Sequence, residues 1–216
     1  MSDARVLVAD GAPSSAAARG GSPKVKVCGV TNLADAETAV ALGAWAVGMI
    51  FYDGSPRRCS LAEAQRISAA LRRKAAPCGV FVNAPLEEVV ALAEELQLGM
   101  LQLHGEEGPS FCAETKRRLG VPVIKARQVS GPGDVRDMER YHVDFHLLDA
   151  RARTPGRQEE RGGTVERAIA LTRPSVVDTA SGTESAPGRK DPNKLRAFFD
   201  AVNRTTIGPA RIGQPA

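Results

Sequence analysis

Between residues 24 and 203, short apolar runs alternate with segments whose apolar residues recur at helical spacing. The first run, Lys24-Val25-Lys26-Val27-Cys28-Gly29-Val30, predicts a strand. Thr31 or Asn32 can cap the helix predicted over 33–42, and Gly43 stops it. Ala44 to Tyr52 is a second, nearly continuous apolar run. Leu61, Ala64, Ile67 and Leu71 then mark one face of a helix over 61–73. Gly79-Val80-Phe81-Val82 is the third strand, and Leu86, Val89, Val90, Ala93 and Leu96 lie on one face of the next helix. Leu98 to Leu103, Val121 to Ala126 and Val143 to Leu148 give three further strands, separated by helices near 109–119 and 132–141. The rhythm then breaks, because residues 151–164 contain no apolar run. It resumes with a helix carrying Val165, Ala168, Ile169 and Thr172, a last strand Ser175-Val176-Val177-Asp178, and a closing helix over 193–203.

Strands buried on both faces read as continuous apolar runs, and strand–helix alternation of this length implies a parallel sheet with right-handed crossovers. The sheet can close into a barrel or stay open and doubly wound. A G-x-G-x-x-G turn after the first strand would favour the open form, but Cys28-Gly29-Val30-Thr31 stands there. The expected fold is therefore α/β, of the (β/α)8 TIM-barrel type, with seven strands counted and one αβ module apparently lacking. Strand number, tilt and shear are linked in a barrel, so closure is expected to suffer and strand edges to be exposed. Residues 24–203 form the barrel domain. Residues 1–23, rich in Ala, Ser and Gly, are expected to be a flexible N-terminal extension, within which the run Val6-Leu7-Val8-Ala9 is halted by Asp10. Residues 204–216, with Gly208, Pro209, Gly213 and Pro215, are expected to be a flexible C-terminal tail.

A chain of 216 residues supports one domain. Its 43% hydrophobic and 25% charged residues are ordinary for a globular protein. No run approaches the roughly 18 apolar residues of a membrane span, so a cytoplasmic protein without membrane association is expected. The net charge of +4 suits a small anionic ligand. Scattered Lys and Arg and only 4% aromatics argue against nucleic acid. Cys28, Cys59, Cys78 and Cys112 show no C-x-x-C spacing, and the three histidines do not cluster with them. Neither a metal site nor a disulfide framework is expected.

In a parallel barrel the C-terminal ends of the strands carry the active site. That rule selects Cys28 at the end of the first strand, Arg57 following the second, His104 at the end of the fourth, Asp149 at the end of the sixth, and Asp178 at the end of the last, followed by Ser181-Gly182. Each residue has a plain structural reading too. A cysteine on an apolar strand can be an inert core residue, Asp149 can cap a loop, His104 can belong to a turn with Gly105, and Arg57 can be a solvated charge. The set is more informative than its members, since it gathers a thiol, a carboxylate, a guanidinium and an imidazole at one rim.

The string Lys26-Val27-Cys28-Gly29-Val30-Thr31 resembles the opening motif of the phosphoribosylanthranilate isomerases of tryptophan biosynthesis. Further matches follow in order: Ser55-Pro56-Arg57, Gly79-Val80-Phe81-Val82-Asn83, Leu101-Gln102-Leu103-His104-Gly105, Leu147-Leu148-Asp149, and Asp178 through Lys190-Asp191 with Ser181-Gly182, Glu184 and Pro187-Gly188. The resemblance covers residues 24–203 and implies an Amadori rearrangement, in which an aldosylamine becomes a 1-amino-2-ketose. It implies Asp149 as general acid on the ribose ring oxygen, Cys28 as general base at C2, and Arg57 as partner of the anthranilate carboxylate. His104, Asp178, Ser181 and Gly182 are its further substrate-binding residues, with the Ser181-Gly182 loop taking the phosphate. It requires no cofactor and no metal, and it leaves monomer and homodimer open. Against the family pattern, Gly162-Gly163-Thr164 runs directly into Val165-Glu166-Arg167. An internal deletion of helix six and strand seven is therefore expected. The alternative function is that of a catalytically impaired barrel remnant, acting as a phospho-ligand or protein-binding module. A different sugar-phosphate barrel enzyme would leave the thiol on the first strand unexplained.

Overall fold

A computed structural model describes residues 4–9, 22–129, 132–150 and 165–205. Its strands form a closed barrel in the order β1-β7-β6-β5-β4-β3-β2-β8. They are β1 (Ala4–Ala9), β2 (Lys24–Cys28), β3 (Ala46–Ile50), β4 (Ala76–Phe81), β5 (Met100–Leu103), β6 (Val123–Val129), β7 (Phe145–Ala150) and β8 (Val176–Thr179). From β2 to β8 every pairing is parallel, while β1 runs antiparallel to both β7 and β8. The seven parallel strands expected from the apolar runs are thus present among the described residues. Two expectations are corrected. The sheet closes, and Ala4–Ala9, inside the segment expected to be a flexible extension, is the strand that closes it. The run Val6 to Ala9 carried that signal, but isolated among small residues it had no partner in view. Residues 151–164 and the C-terminal tail beyond 205 lie outside the described residues.

Helices α1 (Leu33–Ala41), α2 (Leu61–Leu71), α3 (Leu86–Glu95), α4 (Pro109–Leu119), α5 (Pro132–Met138), α6 (Val165–Thr172) and α7 (Pro192–Arg204) follow the parallel strands. Their starts are set locally. Asn32, Ser60 and Asp191 each accept a backbone N–H of the first turn, which satisfies donors that no helical carbonyl can reach. Buried apolar residues form two layers. Val27, Val47, Leu101, Val123 and Val177 meet the helices, including Ile67, Val89, Leu195 and Phe198. Ala46, Cys78, Met100, Ile124, Leu147 and Val176 fill the barrel. Alternation along each strand produces both layers at once. After β8 the chain makes a 3-10 turn, Ser181–Thr183, and a short hairpin of β9 (Glu184–Ala186) and β10 (Arg189–Lys190). The hairpin docks on the start of α1, where Thr31 Oγ1 donates to the Gly188 carbonyl at 2.6 Å and the Lys190 N–H donates to Asp35 at 2.8 Å. Among the described residues no helix is long and apolar enough to cross a membrane.

Candidate active site

Cys28 is the last residue of β2 and is 2% exposed. It shares a face with Lys26, two positions earlier. Its partner in register on β3 is Gly48. A Cβ at Gly48 would lie 2.9 Å from the Cys28 Sγ and 3.3 Å from the Lys26 Nζ, so the missing side chain makes room for both groups. The chain then turns through Gly29, whose φ of +74° an L side chain rarely adopts. A Cβ there would also meet Arg57 Cδ at 2.9 Å, so the arginine stem lies directly over the end of β2.

Cys28, Arg57, His104 and Ser181 line one cavity of about 250 Å3, walled by Ile50, Val80, Val82 and Ala180 and rimmed by Tyr52 and Ser55. Four of the expected site residues therefore meet. His104 follows β5; its backbone N–H donates to the Phe81 carbonyl at 2.8 Å and its Nδ1 lies 3.0 Å from Gln102 Nε2. Gly182 follows Ser181 in the 3-10 turn. Asp149 is the fifth residue of β7, in register with Gln128 of β6, and its side chain lies outside the described residues. In the ring of eight strands β7 stands three places from β2, which sets the two across the mouth.

Asp178 takes a different place. It is fully buried inside the barrel and accepts from Lys26 Nζ at 2.8 Å, with both side chains at 0% exposure. It is not among the residues lining the cavity. Burial by itself would pull the Lys26 ammonium down, but Asp178 and the thiols of Cys28 and Cys78 outweigh it and hold Lys26 above the usual lysine range.

Sequence reasoning gave no role to Glu184 or Lys190. Arg57 Nε donates to both oxygens of Glu184, at 3.0 and 2.9 Å. Lys190 Nζ donates to Glu184 at 3.0 Å and to the Ala180 carbonyl at 2.9 Å. Burial pulls Lys190 below its ordinary range, against the opposing pull of Glu184. A second buried pair sits beside His104. Lys125 Nζ donates to Glu107 at 2.7 Å and to the Gly105 carbonyl at 2.6 Å, and Glu107 accepts the N–H groups of Asn83 and Gly105. The other three thiols are buried away from the cavity. Burial pushes Cys78 up to about 12, and Cys59 and Cys112 up to about 11.

The cavity brings a thiol, an imidazole and a hydroxyl together with a guanidinium, a donor set that suits an anionic ligand. A family model described as N-(5'phosphoribosyl)anthranilate (PRA) isomerase matches residues 25–164. The chain is 38% identical to the N-(5'-phosphoribosyl)anthranilate isomerase of Acidithiobacillus ferrooxidans, the match covering 84% of this chain and 98% of the relative. The crystal structure of phosphoribosyl anthranilate isomerase from Thermotoga maritima superposes with a TM-score of 0.72 at 34% identity, covering 83% of this chain and 98% of that one. The Thermus thermophilus structure gives 0.71 at 37% identity, covering 83% and 98%. These relatives are spanned almost end to end. The expected deletion of helix six and strand seven finds no support in that coverage, and the reading of the chain as an impaired remnant loses its basis. Both rested on Gly162-Gly163-Thr164 running directly into Val165-Glu166-Arg167, a local departure from the family pattern.

Proposed function

The chain belongs to the N-(5'-phosphoribosyl)anthranilate isomerase family, and from that premise we propose that Cys28 and Asp149 are the acid–base pair of its site. The reaction is the family's: as an isomerase of tryptophan biosynthesis, it converts N-(5'-phosphoribosyl)anthranilate to 1-(2-carboxyphenylamino)-1-deoxyribulose 5-phosphate. Asp149, protonated, gives its proton to the ribose ring oxygen, and the ring opens to a Schiff base. Cys28, as thiolate, takes the C2 proton, and the enolamine that forms tautomerises to the ketone. Acid and base must reach one sugar from two sides, and strands three places apart around a barrel mouth allow that. Arg57 pairs with the anthranilate carboxylate, because a guanidinium matches a carboxylate in two parallel hydrogen bonds. His104 contacts the substrate from the end of β5. Ser181 and Gly182 take the phosphate, and Asp178 acts from beneath the site through its pairing with Lys26.

The observation that supports this assignment is the single cavity shared by Cys28, Arg57, His104 and Ser181. The ligand is a small anion bearing phosphate and carboxylate. A solved relative is in complex with reduced 1-(o-carboxyphenylamino)-1-deoxyribulose 5-phosphate, and the Thermotoga maritima enzyme is described as dimeric. The same reading makes this chain a cytoplasmic monomer or homodimer. The test is a fluorescence assay of phosphoribosylanthranilate consumption by the purified chain beside Cys28→Ala and Asp149→Ala. Each substitution is expected to reduce turnover by about 10^3-fold or more while circular dichroism stays unchanged. Either variant keeping a tenth or more of the parent rate, on the order of 1.4 kcal/mol, sinks the assignment of that residue.

A further inference from the structure

We propose that Glu184 is a positioning residue that fixes the Arg57 guanidinium toward the cavity, and thereby makes the site select an aromatic ligand carrying a carboxylate. The inference rests on the reading that Arg57 pairs with the ligand carboxylate. Arg57 carries five N–H donors, and Glu184 engages the one on Nε. Among the described residues its terminal nitrogens make no hydrogen bond, and the side chain lines the cavity. It is one-quarter exposed, whereas Glu184 is 4% exposed and Lys190 1%. The carboxylate is thus a fixed point and the arginine tip is open to a ligand. Glu184 is anchored from several directions. Its carbonyl accepts from Lys194 of α7 at 2.7 Å, its strand pairs with Lys190 in register, and Lys190 Nζ holds one of its oxygens. Gly29, having no Cβ, leaves the space that the arginine stem occupies. An unpaired arginine on a loop would sample many rotamers, and holding Nε removes most of that freedom before the ligand arrives.

Charge alone predicts the opposite effect. Arg57, Lys190 and Glu184 carry one net positive charge, so removing Glu184 raises the positive charge beside an anion and should tighten its binding. Loss of orientation should weaken it. The sign of the effect therefore separates the two accounts.

The experiment is a calorimetric titration of the full chain with two probes: the reduced product analogue bearing the ortho-carboxyl group, and the same compound without that group. For Glu184→Ala the carboxylated probe is expected to bind about tenfold more weakly, and the carboxyl-free probe to stay within about twofold. Glu184→Gln keeps an acceptor for Nε at the same reach and is expected to restore binding of the carboxylated probe to within about threefold of the parent. Should Glu184→Ala not fold, Glu184→Asp takes its place. It keeps a charge for Lys190 but withdraws the carboxylate from Arg57 by one methylene, and it is expected to lose carboxylate preference in the same direction. Unchanged or tighter binding of the carboxylated probe, or equal weakening of both probes, overturns the inference. Arg57→Ala is the control on the reading beneath it. If Arg57→Ala abolishes the preference and the Glu184 variants keep it, the inference alone fails. If Arg57→Ala keeps the preference, the assignment of Arg57 fails and the inference falls with it.

Discussion

Gly48 decides whether Cys28 can stand where it does. The absent methyl at that position would press on the Cys28 sulfur at 2.9 Å and on its Cα at 3.2 Å, and the second of these is backbone that cannot swing away. Gly48→Ala is expected to lower kcat by at least about tenfold while costing about 1–3 kcal/mol of stability, as overpacked interiors do. Steady-state kinetics together with a urea melt check both numbers, and a fully active Gly48→Ala enzyme would mean that the thiol has room to spare. One residue deeper, Lys26 and Asp178 neutralise each other at zero exposure. Lys26→Met leaves a buried carboxylate without its cation and is expected to destabilise by about 3–5 kcal/mol, whereas exchanging the pair together for Met and Leu costs much less. The melts of the single and double variants would have to coincide for this account to be wrong.

Glu107 works at the scale of elements, since its carboxylate ties the turn after β4 through Asn83, the turn after β5 through Gly105, and β6 through Lys125. Burial would raise its pKa, but the Lys125 bond and the backbone N–H groups prevail and hold it below the ordinary carboxylate value of 4.5. A carboxylate depressed in the folded state contributes stability that is present above 4.5 and lost as pH falls below it, through the lowered folded value. The melting temperature is expected to fall on acidification over that window, and to fall less steeply in Glu107→Gln. Parallel acid profiles for the two proteins would remove Glu107 from the explanation. Ties of this kind were hidden from sequence reasoning. The helices and strands were legible because their burial repeats every three to four residues or fills whole runs, and caps such as Asn32 are local. Arg57 and Glu184 lie 127 positions apart, in segments with no apolar period, so only the fold brings them together. Boundaries slipped where local chemistry misleads. Pro77 lies inside β4, and the strand begins at Ala76, three residues before the Gly79 that the apolar run suggested. The rim residues Cys28, Arg57, His104 and Ser181 were legible because each ends or follows a strand. Asp178 was placed at the rim by the same rule, but its alternation in β8 carries it inside, to Lys26.

For the whole molecule, the decisive feature is the direction of β1. Its first residue, Ala4, pairs with Thr179 at the C-terminal end of β8, and its last, Ala9, pairs with Phe145 at the opposite end of β7. Lys24, which opens β2, pairs with Val176, also at that opposite end. The connection from β1 to β2 therefore starts and finishes away from the site. A parallel strand in the same gap would deliver its end to the mouth, and the chain would have to return along the length of the barrel past the substrate entrance. Antiparallel insertion closes the sheet and leaves both ends of that connection on the side away from the mouth. It also covers two edges at once, with four register pairs to β7 and four to β8. Without it, both edges would present unpaired N–H and carbonyl groups to solvent and to other chains. A chain lacking residues 1–9 is expected to lose about 4 kcal/mol from the ladder alone, taking about half a kcal/mol for each register pair. At this size that corresponds to a melting temperature lower by about 10 °C. Sedimentation should show it self-associating, and a synthetic peptide of residues 3–10 should return part of the lost stability, since strand addition can be made in trans. A truncated chain that melts with the parent and sediments without added association would show that β7 and β8 stand without β1, and the barrel would then owe its closure to something other than this strand.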